Sequence, residues 1–586
     1  MLLRTRKASI EARHREANSC KRVSRLRLAL LATSALATAA SMTAARAADA
    51  TWLANPASGD FNNGLNWSGG ATPDGQATFG VSSQKNIGFS RATFVGGIAV
   101  TGGDYAFAND KLAVTLSGAG LSVVSGATLQ FNNSFLLSFT GASTAGTASI
   151  SNAKDSILAF SNTSNAGNAA ILGLAGSRLL FKDSSSASQS VLANLGSLVF
   201  SGGSTADRAA IGNLGVVQFQ GTSNAGQAQI GNGLNTFFED DSSASRAVIR
   251  NEVGAGLAFN KRSTAANATI TNHGEVGFSD ASTAAAATIT SDGFVFIQGS
   301  ASGGTARLVM TEGPRSALDI SGLTTGGTTI GSIEGSGAVS LGSKNLAIGG
   351  NNLSTSFAGA FQDGGKFVGA GIGGSLTKEG TGALTLTGIN TYTGQTRLKG
   401  GMLVVDGSIA SSSDVLVDAG STLAGTGTVS STNVFDGGTL IAGHSATPFG
   451  TLKVRGDLGL GQGATYSVQV SPDAAGSTSV TGTASLGGAK VAANFAPGTY
   501  ITQQYGILDA NSIVGRFGQL VSTNLLPIFS ASLTYDPNHV FLKLSANATT
   551  NGARNAGSGG GSGRDGDPLR GYNVNQRNVM GGLANA

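Results

Sequence analysis

The chain has 586 residues, of which 40% are hydrophobic, 12% are charged and 89 are glycine. That apolar fraction is too high for disorder, and richness in Gly, Ser, Thr and Asn with few helix formers points to short strands joined by turns. The net charge of +5 is concentrated at one end, since residues 1–47 hold ten basic and two acidic residues and the remainder carries −3; with no basic cluster interleaved with aromatics downstream, no nucleic acid is expected as a partner.

Residues 1–47 are expected to be a signal peptide. Nine basic residues lie between Arg4 and Arg27, an apolar run follows from Leu28 to about Ala40, and Ala45-Arg46-Ala47 fits a small-x-small cleavage site. The apolar run falls short of the ~20 residues that a spanning helix needs. Cys20, the only cysteine, lies in this leader. The mature part therefore has no disulfide to rely on, and its stability must come from packing and backbone pairing.

Residues 48–135 are expected to form an N-terminal cap and the first coils of the fold. Their opening contains Thr51-Trp52-Leu53, Pro56-Ala57-Ser58-Gly59-Asp60-Phe61 and Asn66-Trp67-Ser68-Gly69-Gly70. It resembles the W-x-x-x-P-x-S-G-D-W-N…N-W-S-G-G opening of many repeat-rich exported bacterial proteins, with Phe61 in place of a Trp.

Residues 136–310 are dominated by a repeat. Phe139, Phe160, Phe181, Phe200, Phe219, Phe238, Phe259 and Phe278 are spaced by 21, 21, 19, 19, 19, 21 and 19 residues. An aliphatic column keeps the same beat at Ile150, Ile171, Val191, Ile211, Ile230, Ile249, Ile270 and Ile289. Small pairs precede it at Ser143/Ala145, Ser164/Ala166, Ser204/Ala206, Ser223/Ala225, Ser263/Ala265 and Ser282/Ala284. Asn152, Asn194, Asn213, Asn232, Asn251 and Asn272 form a further column, from which Gly173 departs. The same residue type in the same slot eight times is what stacked coils require, whereas a β-sandwich of evenly spaced hairpins has no need of it. The expected fold is therefore all-β: a right-handed parallel β-helix (β-solenoid) of ~20-residue coils, with a disordered signal peptide and C-terminal tail. Neighbouring coils should stack at ~4.8 Å, with Phe on Phe, Ile on Ile and a ladder of Asn side chains in a turn column. The slippage between 19 and 21 should be absorbed at turns. Coiling of most of residues 100–545 in ~22 turns would build a rod on the order of 100 Å long.

Residues 311–436 contain Gly374-Ser375-Leu376-Thr377-Lys378-Glu379-Gly380-Thr381-Gly382-Ala383-Leu384-Thr385-Leu386-Thr387-Gly388, continuing through Asn390-Thr391-Tyr392-Thr393-Gly394. This stretch resembles the autotransporter-associated β-strand repeat, K-x-G-x-G-x-L-x-L-x-G-x-N-x-Y-x-G-x-T. Residues 437–545 resemble the stalk that ends an autotransporter passenger, with Tyr466-Ser467-Val468-Gln469-Val470, Gly498-Thr499-Tyr500, Tyr505-Gly506-Ile507-Leu508 and Leu533-Thr534-Tyr535-Asp536 in the expected places. Residues 546–586 look like a flexible linker that leads to a barrel, through Tyr572-Asn573-Val574-Asn575-Gln576-Arg577-Asn578-Val579. After Leu544 only 42 residues remain, and an eight-stranded barrel needs ~10 per strand. The outer-membrane β-barrel translocator is expected to be missing from this chain, through truncation or because a separate chain supplies it.

The resemblance implies Sec-dependent export to the cell surface, outer membrane or medium, or to the periplasm if no barrel is supplied. It further implies a structural or adhesive role towards host or neighbouring-cell surface ligands. The residues offer little chemistry of their own. His273, His444 and His539 lie far apart and are expected to be surface turn residues. No G-x-S-x-G elbow or convergent His/Cys set is present. Asp240, Asp241, Arg246, Arg250, Glu252, Lys261, Arg262 and Asp280 could suggest a carbohydrate-active β-helix lyase or glycosidase. Their register argues for a structural ladder: Asp240, Lys261 and Asp280 each follow their Phe by two, and Asp241 and Arg262 by three. Gly559 to Asp567 is like a single imperfect calcium-binding nonapeptide, and one copy cannot complete a site. No catalytic residue, cofactor or metal is assigned, and a non-functional truncated remnant is the third alternative.

Overall fold

Alternating burial along four-residue strands sets the architecture. The computed structural model describes residues 48–367, 369 and 371–547; all but Ala48 belong to a unit that begins at Asp49. The expected signal peptide at residues 1–47 and the residues past Asn547, including the Gly559–Asp567 and Tyr572–Val579 segments, lie outside the described residues. Among the described residues every pairing of two strands is parallel except those of the hairpin at Phe529–Ala546, and the chain forms the expected parallel β-solenoid. Among the described residues the only helical element is a 3-10 turn at Gly64–Asn66.

One coil illustrates the rest. Gly256–Phe259 is the Phe strand and Thr269–Asn272 the Ile strand. Leu257 and Phe259 point inward from the first, Ile270 and Asn272 from the second. Between them Thr264 alone pairs with its neighbours, Ser243 and Thr283, on a third, one-residue-wide face. The Phe strands stack into a 16-stranded sheet that runs from Ala50–Thr51 to Ala360–Gln362, and the Ile strands into a 21-stranded ladder that ends at Gln519–Thr523. From Gly327–Ile330 onward the third face widens into a 12-stranded sheet.

The variable period has one source. Coils of 21 residues join the Ile strand to the next Phe strand by four residues (153–156, 174–177 and 252–255), and coils of 19 use two, as at 273–274. The remaining turns keep a fixed length because two columns of left-handed backbone are built into them. Two residues past each Phe the φ is positive: 62° at Gly141, 57° at Asn162, 58° at Asp183, 57° at Asp240, 58° at Lys261 and 59° at Asp280. Gly, Asn and Asp tolerate that region best. An Asx side chain in this slot also accepts the backbone N–H of the slot one coil earlier, as Asn162 does from Gly141 (3.1 Å), Asp240 from Gly221 (2.9 Å) and Asp280 from Lys261 (2.9 Å).

The core is a set of columns. Rings from Phe139 to Phe278 stack with centroids 4.6–4.9 Å apart and planes within 9°. The Ser-x-Ala pairs are buried against them. Val191 is a correction to the aliphatic column: it is 57% exposed and Leu192 fills the slot, paired in register with Ile171 and Ile211. The Asn column is also placed differently from expectation, since each Asn closes the Ile strand with its side chain buried in the core. Asn194, Asn213, Asn232, Asn251 and Asn272 each donate Nδ2 to the next member at 2.7–2.9 Å, and the ladder ends on Ser291 Oγ. Their second N–H meets a backbone carbonyl, so these buried amides are satisfied on both sides.

Both ends of the stack are closed. Trp52, Phe61, Trp67 and Phe79 cluster at 4.9–5.3 Å over the first coil. Asn66 is fully buried there and ties Ser58 to Asp60, which explains the spacing of that opening motif. At the other end Phe529–Tyr535 and His539–Ala546 form an antiparallel hairpin on Gln503–Val514. That hairpin covers a sheet edge that would otherwise be open to pairing.

Candidate functional site

The charged set reads from the inside of the fold outwards. Positions two and three past the Phe face solvent, so Asp240, Lys261, Asp241 and Arg262 come together on the surface one coil apart. Lys261 Nζ lies 2.6 Å from Asp240 Oδ1, and Arg262 grips Asp241 through both carboxylate oxygens at 2.7 and 2.6 Å. Arg250 pairs with Glu252 at 2.6 Å. The Lys261 ammonium, followed by the Gly221 N–H, holds the Asp240 carboxyl below its usual range, and Arg262 does the same for Asp241. Asp240 in turn raises Lys261. These pairs are exposed, so each contributes little to stability. Asp280 gives one oxygen to the Lys261 N–H. Arg246 lies on another part of the surface, beside Asp207, Ser243 and Asn267.

The three histidines remain apart, and each faces an acid: His273 with Asp292 at 2.9 Å, His444 with Asp406 at 3.1 Å, and His539 with Asp536 at 2.9 Å. His444 corrects the surface-turn expectation, since its side chain is only 16% exposed. Among the described residues no group of three or more His, Cys, Asp or Glu side chains is arranged to hold a metal ion.

The stretch from Lys378 to Gly394 proves to be a coil built position by position. Lys378 is 1% exposed and its Nζ donates to the carbonyls of Glu379 (2.6 Å), Gly380 (3.4 Å) and Gly400 (3.3 Å). Burial lowers its pKa to about 8. Gly380 has a φ of 68°, and a Cβ at Gly388 would strike the Gly359 carbonyl. Leu384 and Leu386 fill the core. Asn390 accepts from the Phe361 N–H and donates to the Ser408 carbonyl, which splices three coils together. Tyr392 is fully buried and hydrogen-bonds Thr396, which meets Ser412 at 3.0 Å. Each residue type serves stacking.

Two surface features were not read from the sequence. Past the strand Ala360–Gln362, Lys366 lies 4.3 Å above the Phe294 ring and Phe367 packs on Phe296 at 5.5 Å. The outer side of the Ile ladder carries exposed Leu174, Val191, Leu195, Leu214 and Val248 around shallow depressions of about 290 and 380 Å³. The signal for the second was available, since the exposed leucines fall three residues past the aliphatic column.

Residues 376–405 match the passenger-associated-transport-repeat family. Two relatives, both named extracellular serine protease and both from Serratia marcescens, are 41% and 37% identical over 97 residues. Each match covers 17% of this chain and 9% of the relative. The chain thus carries a passenger-associated transport repeat, within a parallel β-solenoid that resembles an autotransporter passenger.

Proposed function

We propose that this chain is an exported bacterial passenger of autotransporter type, structural and adhesive in role, that acts through the lateral faces of its coil stack. The carrying observation is the segment 376–405, where a passenger-associated transport repeat merges without a break into the stacked ladders on both sides. Export follows from the basic leader with its short apolar run and Ala45-Arg46-Ala47. An outer-membrane β-barrel is the partner this reading requires. A long sheet surface suits contact with other surfaces, because parallel coils present one outward side chain every ~4.8 Å along each column.

The role proposed is non-enzymatic. Catalytic carboxylates need to be free to exchange protons with a substrate, whereas Asp240, Asp241 and Glu252 are each tied to a cation on a neighbouring position. The extracellular serine protease relatives are matched over only 9% of their length, so their named activity is not carried over.

Fractionation of the native strain, with protease added to intact cells, tests the reading. The chain should be degraded by external protease or recovered from the medium. Recovery of an intact, protected chain in the periplasm or cytoplasm would refute it, and so would hydrolysis of protein or polysaccharide by the purified chain.

A further inference from the structure

We propose that the outer face of the Ile ladder around Leu195, Gly212 and Leu214 packs against a second copy of this chain. Across the four coils from Ala170 to Gly233, three outward columns offer twelve positions without a charge, and Gln229 is their one polar side chain. Leu195 is 41% and Leu214 67% exposed. A solvent-facing apolar surface of this kind is retained where something covers it.

The relief of the face says what covers it. Leu174, Leu195 and Leu214 form a ridge, one residue per coil. Beside the ridge lies a groove, because Gly212 and Gly231 put no side chain on the adjacent column; it is walled by Val191 and Val248 on the far side. Leu214 leans over Gly233, with Cδ2 2.7 Å from where a Cβ would stand. A two-fold axis parallel to the stack carries the ridge of one copy onto the groove of the other and the reverse. A ridge and a groove side by side on one surface are therefore self-complementary, the condition for an isologous contact. Charge agrees with this, because the lower rim holds Arg250 and Glu252 already paired to each other, leaving no net charge for an oppositely charged partner to match.

Four rungs at ~4.8 Å by five residues at ~3.3 Å give a face of roughly 320 Å² per copy. A stable complex uses about 800 Å² per partner. The contact is accordingly weak between free chains and gains strength where many copies are held close together. This inference does not rest on export and stands or falls in solution.

Sedimentation equilibrium of the purified chain without its leader, from about 1 μM to about 1 mM, tests it. A reversible monomer–dimer equilibrium is expected. Leu214→Asp should weaken it at least about tenfold, a loss typical of charging the centre of a small apolar contact. Gly212→Leu is the sharper variant. A Cβ there meets nothing of its own chain within 4 Å and no positive φ is strained, so the fold is kept while the groove is filled. It should also weaken dimerisation, whereas Phe94→Asp, at a 70% exposed residue in the Phe sheet, should not. A monomer at every concentration would overturn the proposal. So would a Gly212→Leu variant that associates more tightly, because that is the behaviour of unspecific stickiness.

Discussion

Asn232 Nδ2 donates to Asn251 Oδ1 at 2.7 Å, inside the core and 19 residues along the chain. The same amide donates to the Gly256 carbonyl at 3.0 Å and accepts from Asn213 and Thr236. Asn232→Ala therefore strands buried groups on two coils. It should cost about 2–3 kcal/mol, the range for leaving buried partners unsatisfied, read as a lower urea midpoint at unchanged slope.

The ladder has a gap at Gly173, and Ser177 Oγ beside it finds no partner. An Asn at that position would accept from Asn152 and donate to Asn194. A Cβ there lies 3.2 Å from Ser177 Oγ, which would shift slightly and bond the new amide as Ser156 bonds Asn152. Gly173→Asn should stabilise the chain by about 1 kcal/mol, measured as a raised thermal midpoint.

Phe219→Ala removes a ring held between Phe200 and Phe238 at 4.7 and 4.6 Å. The cavity should cost about 3–5 kcal/mol. Each coil touches only its neighbours, so hydrogen exchange should accelerate first in the coils beside position 219 and only later at the aromatic cap.

Lys378 couples stability to pH. Its folded pKa of about 8 lies below the ordinary lysine value of about 10.4. Between those two pH values the unfolded chain binds more protons, so stability rises with pH across that window and is level below it with respect to this group. Buried Tyr392 and Tyr466, whose pKa values are raised by desolvation, act oppositely above pH ~10, where only the unfolded chain ionises them. The difference in unfolding free energy between the parent chain and Lys378→Met should therefore grow between pH 8 and about 10. Parallel curves for the two would contradict the assignment.

Much of this core was legible because stacking repeats a residue type in one slot. The Phe column, the Ser-x-Ala pairs and the alternating column of Asp240, Lys261 and Asp280 all lie where their spacing places them. Val191 was misread because Val191 and Leu192 are adjacent aliphatics, and strand parity decides which one points in. Asn194, two residues past Leu192 and buried with it, carried that parity. The Asn ladder is legible in the spacing, but not its place, because Asn is a common turn residue and only the paired strands put these amides inside the core at the end of the Ile strand. The Leu174–Leu195–Leu214 ridge escaped notice for a related reason, since a column of leucines in a sequence looks like core until the pleat puts it outside. The packing of Phe367 on Phe296 joins residues 71 positions apart with no repeat to announce it.

Coil lies upon coil in the pairing that sets Arg250 opposite Thr271. The one cysteine of the sequence is Cys20, so nitroxides can be placed on a chain that starts at residue 48 as Arg250→Cys and Thr271→Cys without interference. Continuous-wave electron paramagnetic resonance of the doubly labelled chain should show strong dipolar broadening, as labels on rungs ~4.8 Å apart must. A spectrum equal to the sum of the two singly labelled chains would mean that these strands are not neighbours, and the stacked core and its lateral faces would have to be abandoned.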